Sequence, residues 1–208
     1  MSPDIQWGLF LAASLALALT PGPDMIYVIS RALAQGPRAG LISAAGLTLG
    51  LAAHTLLAAF GVSVLLRASP TAFVVLKVVG ALYLFWIGLQ LWRAAPQMDI
   101  RAASDRAGTA ALFLQGSLSA LLNPKLALFF LAFLPQFVPR NSLTPTQDVL
   151  ALGLGFALVG ITVQAIAGFA AGMLSERLRQ SERALRGVFR TSALVMMALG
   201  VRLLVAPR

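Results

Sequence analysis

Apolar residues run along this chain in long, nearly unbroken stretches, and the polar residues gather between them. The stretches cover Ile5 to Ser30, Leu41 to Leu66, Thr71 to Trp92, Thr109 to Val138, Val149 to Leu174 and Val188 to Val205. A helix needs roughly 20 mostly apolar residues to cross the ~30 Å hydrocarbon core, so each stretch predicts one spanning helix. The pattern therefore predicts an all-α integral membrane protein: six transmembrane helices in a single transmembrane domain, residues 1–208. The loops are too short to hold a soluble catalytic domain, and any function has to be built from the helices themselves.

Two of the stretches are interrupted in a similar way. The first contains Thr20-Pro21-Gly22-Pro23-Asp24 and the fourth Asn123-Pro124-Lys125, with Pro21 and Pro124 close to half a chain length apart. The third and sixth stretches also correspond loosely, Lys77-Val78-Val79-Gly80 through Gly88 matching Arg190-Thr191-Ser192-Ala193 through Gly200. Three spans per half force the halves into opposite orientations, which predicts two inverted three-helix repeats, residues 1–93 and 109–208. The second stretch carries small residues at helical spacing, Gly40, Ser43, Gly46 and Gly50, leading to His54. Small residues let helices approach closely in lipid, so this stripe, with Gly168 and Gly172 in the fifth stretch, is read as packing and is compatible with a homodimer.

Composition reinforces the membrane assignment, with 59% hydrophobic and 11% charged residues. Ala16-Leu17-Ala18 has the small-x-small form of a signal cleavage site, but only Asp4 precedes the apolar run, so the run is read as a retained span. A net charge of +9 would suggest nucleic acid in a soluble protein; here the position of each charge says more. Loops 31–38, 93–108 and 175–190 hold ten arginines, while the other side has Arg67, Arg140, Arg202 and Arg208. That bias places the odd-numbered loops in the cytoplasm and both termini in the periplasm of a bacterial inner membrane. The run from Glu176-Arg177-Leu178-Arg179 to Arg190 is read as the topology determinant on anionic lipid.

The interruptions carry the candidate chemistry. Proline in a spanning helix removes a hydrogen bond and leaves backbone groups that lipid cannot satisfy, and Pro21 and Pro23 flanking Gly22 predict an unwound break. At ~1.5 Å per residue, Pro21 lies about 15 Å from Arg31, near the bilayer midplane. Asp24 is the only acid inside a predicted span. It has three readings: it holds a substrate ammonium, carries a coupling proton, or forms a static ion pair with Lys125 or Arg31. Asn123, Pro124 and Lys125 mirror the first break with opposite charge, which suits a zwitterion: Asp24 for the ammonium, Lys125 and the broken-helix amides for the carboxylate. Lys77 sits near the end of its span and is read as snorkelling. His54, the sole histidine, is a candidate proton relay beside its packing reading; Thr162 and Gln164 are read as interhelical hydrogen bonders.

The absence of cysteine removes thiolate chemistry and Cys-ligated metal sites. There is no HExxH, no workable Ser, His and Asp set, and no Gly-rich strand-to-helix loop, so neither catalysis nor a cofactor or metal is expected.

The stretches LALTPGPDMIYVISRALAQGPRAGLISAAGLTLGLAAH, LKVVGALYLFWIGLQLWR and LLNPKLALFFLAFLPQFV resemble the LysE/RhtB family of bacterial amino-acid exporters over nearly the whole chain. The PGP motif at Pro21 to Pro23 and the NPK motif at Asn123 to Lys125 are intact, and Asp24 and His54 fit the same pattern. The resemblance implies a secondary transporter that exports a small amino acid or derivative, exchanged against protons; the partners expected are solute, protons and membrane lipids, with no nucleic acid and with a homodimer open. The family's aspartate in the fifth span falls on Gly160 here, which implies either reliance on Asp24 alone, a neutral or zwitterionic solute, or a different coupling. The alternative from the residues is a passive channel or an ion or metal transporter on the same fold.

Overall fold

The structure is a computed structural model and describes residues 2–62, 70–93, 106–139, 142–173 and 182–205. The predicted span ends Leu66 and Leu174, and Arg67, Arg101, Arg140, Glu176, Arg177, Arg179 and Arg208 of the charge count, lie outside the described residues.

The described chain is helical, with no strand. In order it forms α1 (Trp7–Leu19), α2 (Pro23–Gln35), α3 (Pro37–Leu57) with a π turn over Ala58–Val62, and α4 (Pro70–Arg93). There follow α5 (Thr109–Leu121), α6 (Pro124–Leu128) continuing through a π segment Phe129–Phe133 and a 3-10 turn Leu134–Phe137, α7 (Pro145–Met173) and α8 (Glu182–Val205). Prolines punctuate these starts. Pro23, Pro37 and Pro124 stand at the first helical positions, where a missing N–H costs nothing and φ is already helical. Between α2 and α3 the chain turns on Gly36, at φ 87°, a backbone conformation that side chains resist.

Three helices are long and apolar enough to span a membrane: Pro37–Gly61, Val74–Arg93 and Pro145–Met173. Two further spans arise if each broken pair counts as one, α1 with α2 bent by 53°, and α5 with α6 bent by 47°. The sixth expected span, Val188 to Val205, falls within α8, which lies along α4.

α3 is the central helix, flanked by α2, α5 and α7. The small-residue stripe explains why: Gly46 meets the Phe113 carbonyl, Gly116 of α5 meets that of Ser43, and the Ser117 hydroxyl donates to the Gly46 carbonyl at 2.8 Å. Gly40 and Gly168 bring α3 against α7 in the same way. The stripe is thus filled by helices of the same chain, and leaves no face there for a second copy. On the other side of the two breaks the packing is aromatic. Phe129 stacks near Phe133 and Phe156, with centroids 5.2 and 4.5 Å away, and Phe10 meets Phe137 at 5.2 Å. The start of α7 is capped by a polar knot in which Asp148 accepts from the Ser2 amide at 2.8 Å and the Ser142 hydroxyl at 2.6 Å.

Because a Cβ at Gly46 would overlap the backbone of α5, Gly46→Val is expected to force the two helices apart. Overpacking costs about 1–3 kcal/mol. A lowered unfolding temperature in detergent, read by intrinsic fluorescence, checks it, with the lipid-facing change Leu49→Val as the near-neutral control.

Candidate functional site

The site is built where the two broken helices meet. α1 stops at Leu19, and Thr20, Pro21 and Gly22 continue in extended conformation, with Gly22 at φ −140° and ψ 179°. α2 restarts on Pro23, placing Asp24 in its first turn. In the second break α5 ends at Leu121 and Asn123 caps α6, its side-chain oxygen accepting from the Lys125 amide at 3.0 Å. Both restarts therefore read proline then charge, Pro23-Asp24 and Pro124-Lys125. The structural counterpart of Pro124 is Pro23 rather than Pro21, the pairing expected from sequence.

Each charge is held by what the opposite break releases. Lys125 Nζ lies 3.6 Å from Asp24 Oδ1 and donates to the Thr20 carbonyl at 3.0 Å and the Leu17 carbonyl at 3.5 Å, the free end of α1. A cation there meets the negative end of a helix dipole. Asp24 Oδ1 accepts from Asn123 Nδ2 at 2.9 Å, and Asp24 Oδ2 accepts from Gln164 Nε2 of α7 at 3.0 Å. All four side chains are buried, Asp24 at 5%, Lys125 at 3%, Asn123 at 1% and Gln164 at 3% exposure. Of the two static pairs open in the sequence, the structure has the one with Lys125; Arg31 Nη2 instead donates to Gln115 Oε1 at 2.9 Å.

Gly22 has no room for a side chain, because a Cβ would stand 2.7 Å from Asp24 Oδ1 and 2.9 Å from Lys125 Nζ. Its lack of Cβ is what lets the ion pair lie against the unwound backbone. Gly160 is different: a Cβ there would make ordinary contacts, 3.8 Å to Leu51 and 3.9 Å to Phe156. It lines a cavity beside the ion pair, together with Leu17, Leu47, Leu51, Phe156 and Gln164. About 10 Å³ of this space is open to the centre of a water-sized sphere, room for roughly one water. The site is closed around its charges, and a solute of amino-acid size needs the helices to separate before it can enter.

His54 stands apart from the carboxylate. Its Nε2 lies 3.1 Å from the Ala120 carbonyl and its ring stacks on Phe130 at 5.7 Å. It touches the second break indirectly, since Ala120 also accepts from the Asn123 amide at 3.1 Å. Thr162 is exposed, and among the described residues its hydroxyl donates within its own helix, to the Leu158 carbonyl. Gln164 does bond between helices as expected, but its partner is the site's own carboxylate, a role that sequence reasoning missed. The signal was its position: Gly160, Gln164 and Gly168 share one face of α7, and a polar residue inside a small-residue stripe points at protein.

The sequence model of the family described as LysE type translocator matches residues 15–206. A homoserine/homoserine lactone efflux protein of Salmonella typhimurium is 34% identical over 166 residues, 79% of this chain and 78% of its own length. A leucine efflux protein of Klebsiella pneumoniae is 30% identical over 158 residues, 76% of this chain and 71% of its own. An uncharacterized membrane protein of Vibrio cholerae is 33% identical over 172 residues, 83% and 82% of the two chains. No solved structure matches the chain.

Removing one partner of a buried ion pair leaves an uncompensated charge, at a cost of about 3–5 kcal/mol, whereas an apolar replacement of both is often neutral. Lys125→Met and Asp24→Leu should each destabilise the folded protein in detergent far more than the double substitution does. A thermal double-mutant cycle measures this coupling; additive losses would show that the pair contributes nothing as a pair.

Proposed function

The chain belongs to the LysE type translocator family, and from that premise we propose that it is a secondary exporter, moving a small amino acid or amino-acid derivative out of the cytoplasm by proton antiport. The observation that carries this reading is the Asp24–Lys125 pair, 3.6 Å apart at the junction of two broken helices. A zwitterion offers the same two charges in reverse. It can replace the internal pair without leaving either ion unmatched, its ammonium on Asp24 and its carboxylate on Lys125 at the α6 start. The efflux proteins among the relatives are named for amino acids or their lactone, which supports a solute of this size and charge.

The movement follows from the architecture. In the proposed arrangement α1–α2 and α5–α6 each count as one broken span and α8 as a sixth, giving two inverted repeats, residues 1–93 and 109–208; the two bent helix pairs support it. Rocking one repeat against the other around the fixed breaks would expose the pair to each side in turn, and separating Asp24 from Lys125 is the act that admits solute. Asp24 is then the group that accepts a proton when solute leaves, and His54, held at the second break through Ala120, is the candidate relay. In this reading both termini lie outside a bacterial inner membrane, as the arginine bias supports, and protons enter down their gradient as solute leaves.

The test is counterflow in proteoliposomes preloaded with unlabelled amino acids. Labelled amino acid should exchange, and Asp24→Asn should reduce exchange at least about 100-fold while the protein still inserts and elutes as a single species. Vesicles acidic inside should accumulate solute above its outside concentration as protons leave. Mere equilibration would replace the exporter with a passive channel.

A further inference from the structure

Gln164 carries an oxygen with nothing to accept from. Its amide nitrogen donates to Asp24 Oδ2 at 3.0 Å, but Oε1 is buried and has no hydrogen-bond partner among the described residues. A buried acceptor left unmatched costs free energy, so a native structure that retains one has a use for it. Gln164 lines the cavity beside the ion pair, one helical turn from Gly160. Asp24 and this unpartnered oxygen thus form two neighbouring acceptors in the cavity lining, with the cation Lys125 lining the same cavity.

We propose that Gln164 is a specificity-determining residue that selects solute by its amino group. This rests on the exporter reading above. An ammonium has three N–H donors in a fixed tetrahedral array; Asp24 takes one by charge, and Gln164 Oε1 takes a second by direction. A hydroxyl in the same place has one proton and no charge, and cannot satisfy both acceptors. The rest of the cavity narrows the solute further. Leu47, Leu51, Phe156 and Gly160 offer a solute side chain apolar contact and no third charge, so a side-chain ammonium or carboxylate would be buried unpaired. The solute is therefore an α-amino acid with an uncharged side chain, and Gly160 supplies the space that the side chain enters.

Counterflow with leucine, alanine, threonine and lysine identifies the best-exchanged amino acid. Its 2-hydroxy analogue, in which hydroxyl replaces ammonium, is then compared in wild type and Gln164→Leu. Wild type should prefer the amino acid at least about 100-fold, as sites that hydrogen-bond a substrate N–H do. Gln164→Leu should weaken the amino acid by about 10- to 100-fold, mainly in KM, and leave the hydroxy acid nearly unchanged, so the preference collapses. Gly160→Val should shift preference from leucine toward alanine. Equal loss of amino and hydroxy acid in Gln164→Leu would make Gln164 a packing residue and overturn the inference, as would efficient exchange of lysine by wild type. Should the variant fail to fold, wild type alone decides, because no preference for amino over hydroxy acid also overturns it. Absence of exchange with every amino acid would instead remove the exporter reading on which the inference stands.

Discussion

Two opposite charges buried where a membrane protein has little water to offer them set the terms for everything around them. Either charge alone would be buried uncompensated, and a bare pair would still leave lone pairs and N–H groups unmatched. The chain resolves this by breaking two helices at the same place. Lys125 of the second break donates to the Thr20 and Leu17 carbonyls at the end of α1, and Asp24 of the first break accepts from the side-chain amides of Asn123 in the second break and Gln164 in α7. Each half is incomplete without the other. Proline, which normally damages a spanning helix, is here the means of supplying polar backbone to charges that need it.

This arrangement constrains the packing on its two sides differently. Toward the Gly36 turn, α3 meets α5 and α7 through backbone, at Gly40, Gly46, Gly168 and Gly172. Toward the other side, the closure is made of rings: Phe10, Phe129, Phe130, Phe133 and Phe156 are all buried. It surrounds a π segment, Phe129–Phe133, directly after the second restart. Backbone contacts yield only if helices part as units, whereas rings also turn about their own bonds.

How much of this is legible in the sequence follows the same physics. The breaks are legible because proline and a charge inside an apolar run contradict a continuous helix locally, and the stripe from Gly40 to Gly50 is legible because its period is that of one helix face. The meeting of Asp24 with Lys125 is legible only as one option among several, since choosing between Lys125 and Arg31 needs the fold. Reading Pro21 against Pro124 misses the register because sequence spacing ignores which proline actually starts a helix. Gln164 is missed for a deeper reason. A glutamine at a helix interface serves packing as well as it serves a site, and only the position of α7 against α2 decides which carboxylate it reaches. Asp148, just before the predicted fifth span, looks like a loop residue until Ser2 and Ser142 close over it.

The internal ion pair also acts on what can bind. In the closed site Asp24 and Lys125 satisfy each other, so a solute has to compete with a partner already present and covalently tethered. A lone cation could replace Lys125 at Asp24, but would leave Lys125 with carbonyls alone; a lone anion would strand Asp24 in the same way. Either mismatch costs about 3–5 kcal/mol, which a small solute with few contacts recovers poorly. A molecule carrying both charges a short distance apart avoids this cost, because it returns each protein ion a partner at the moment it takes one away. Under the proposed exporter function, selection for a dipolar solute follows from the pair itself, before any side-chain pocket is considered, and the roles proposed for Gln164 and Gly160 apply to solutes that have already met that requirement.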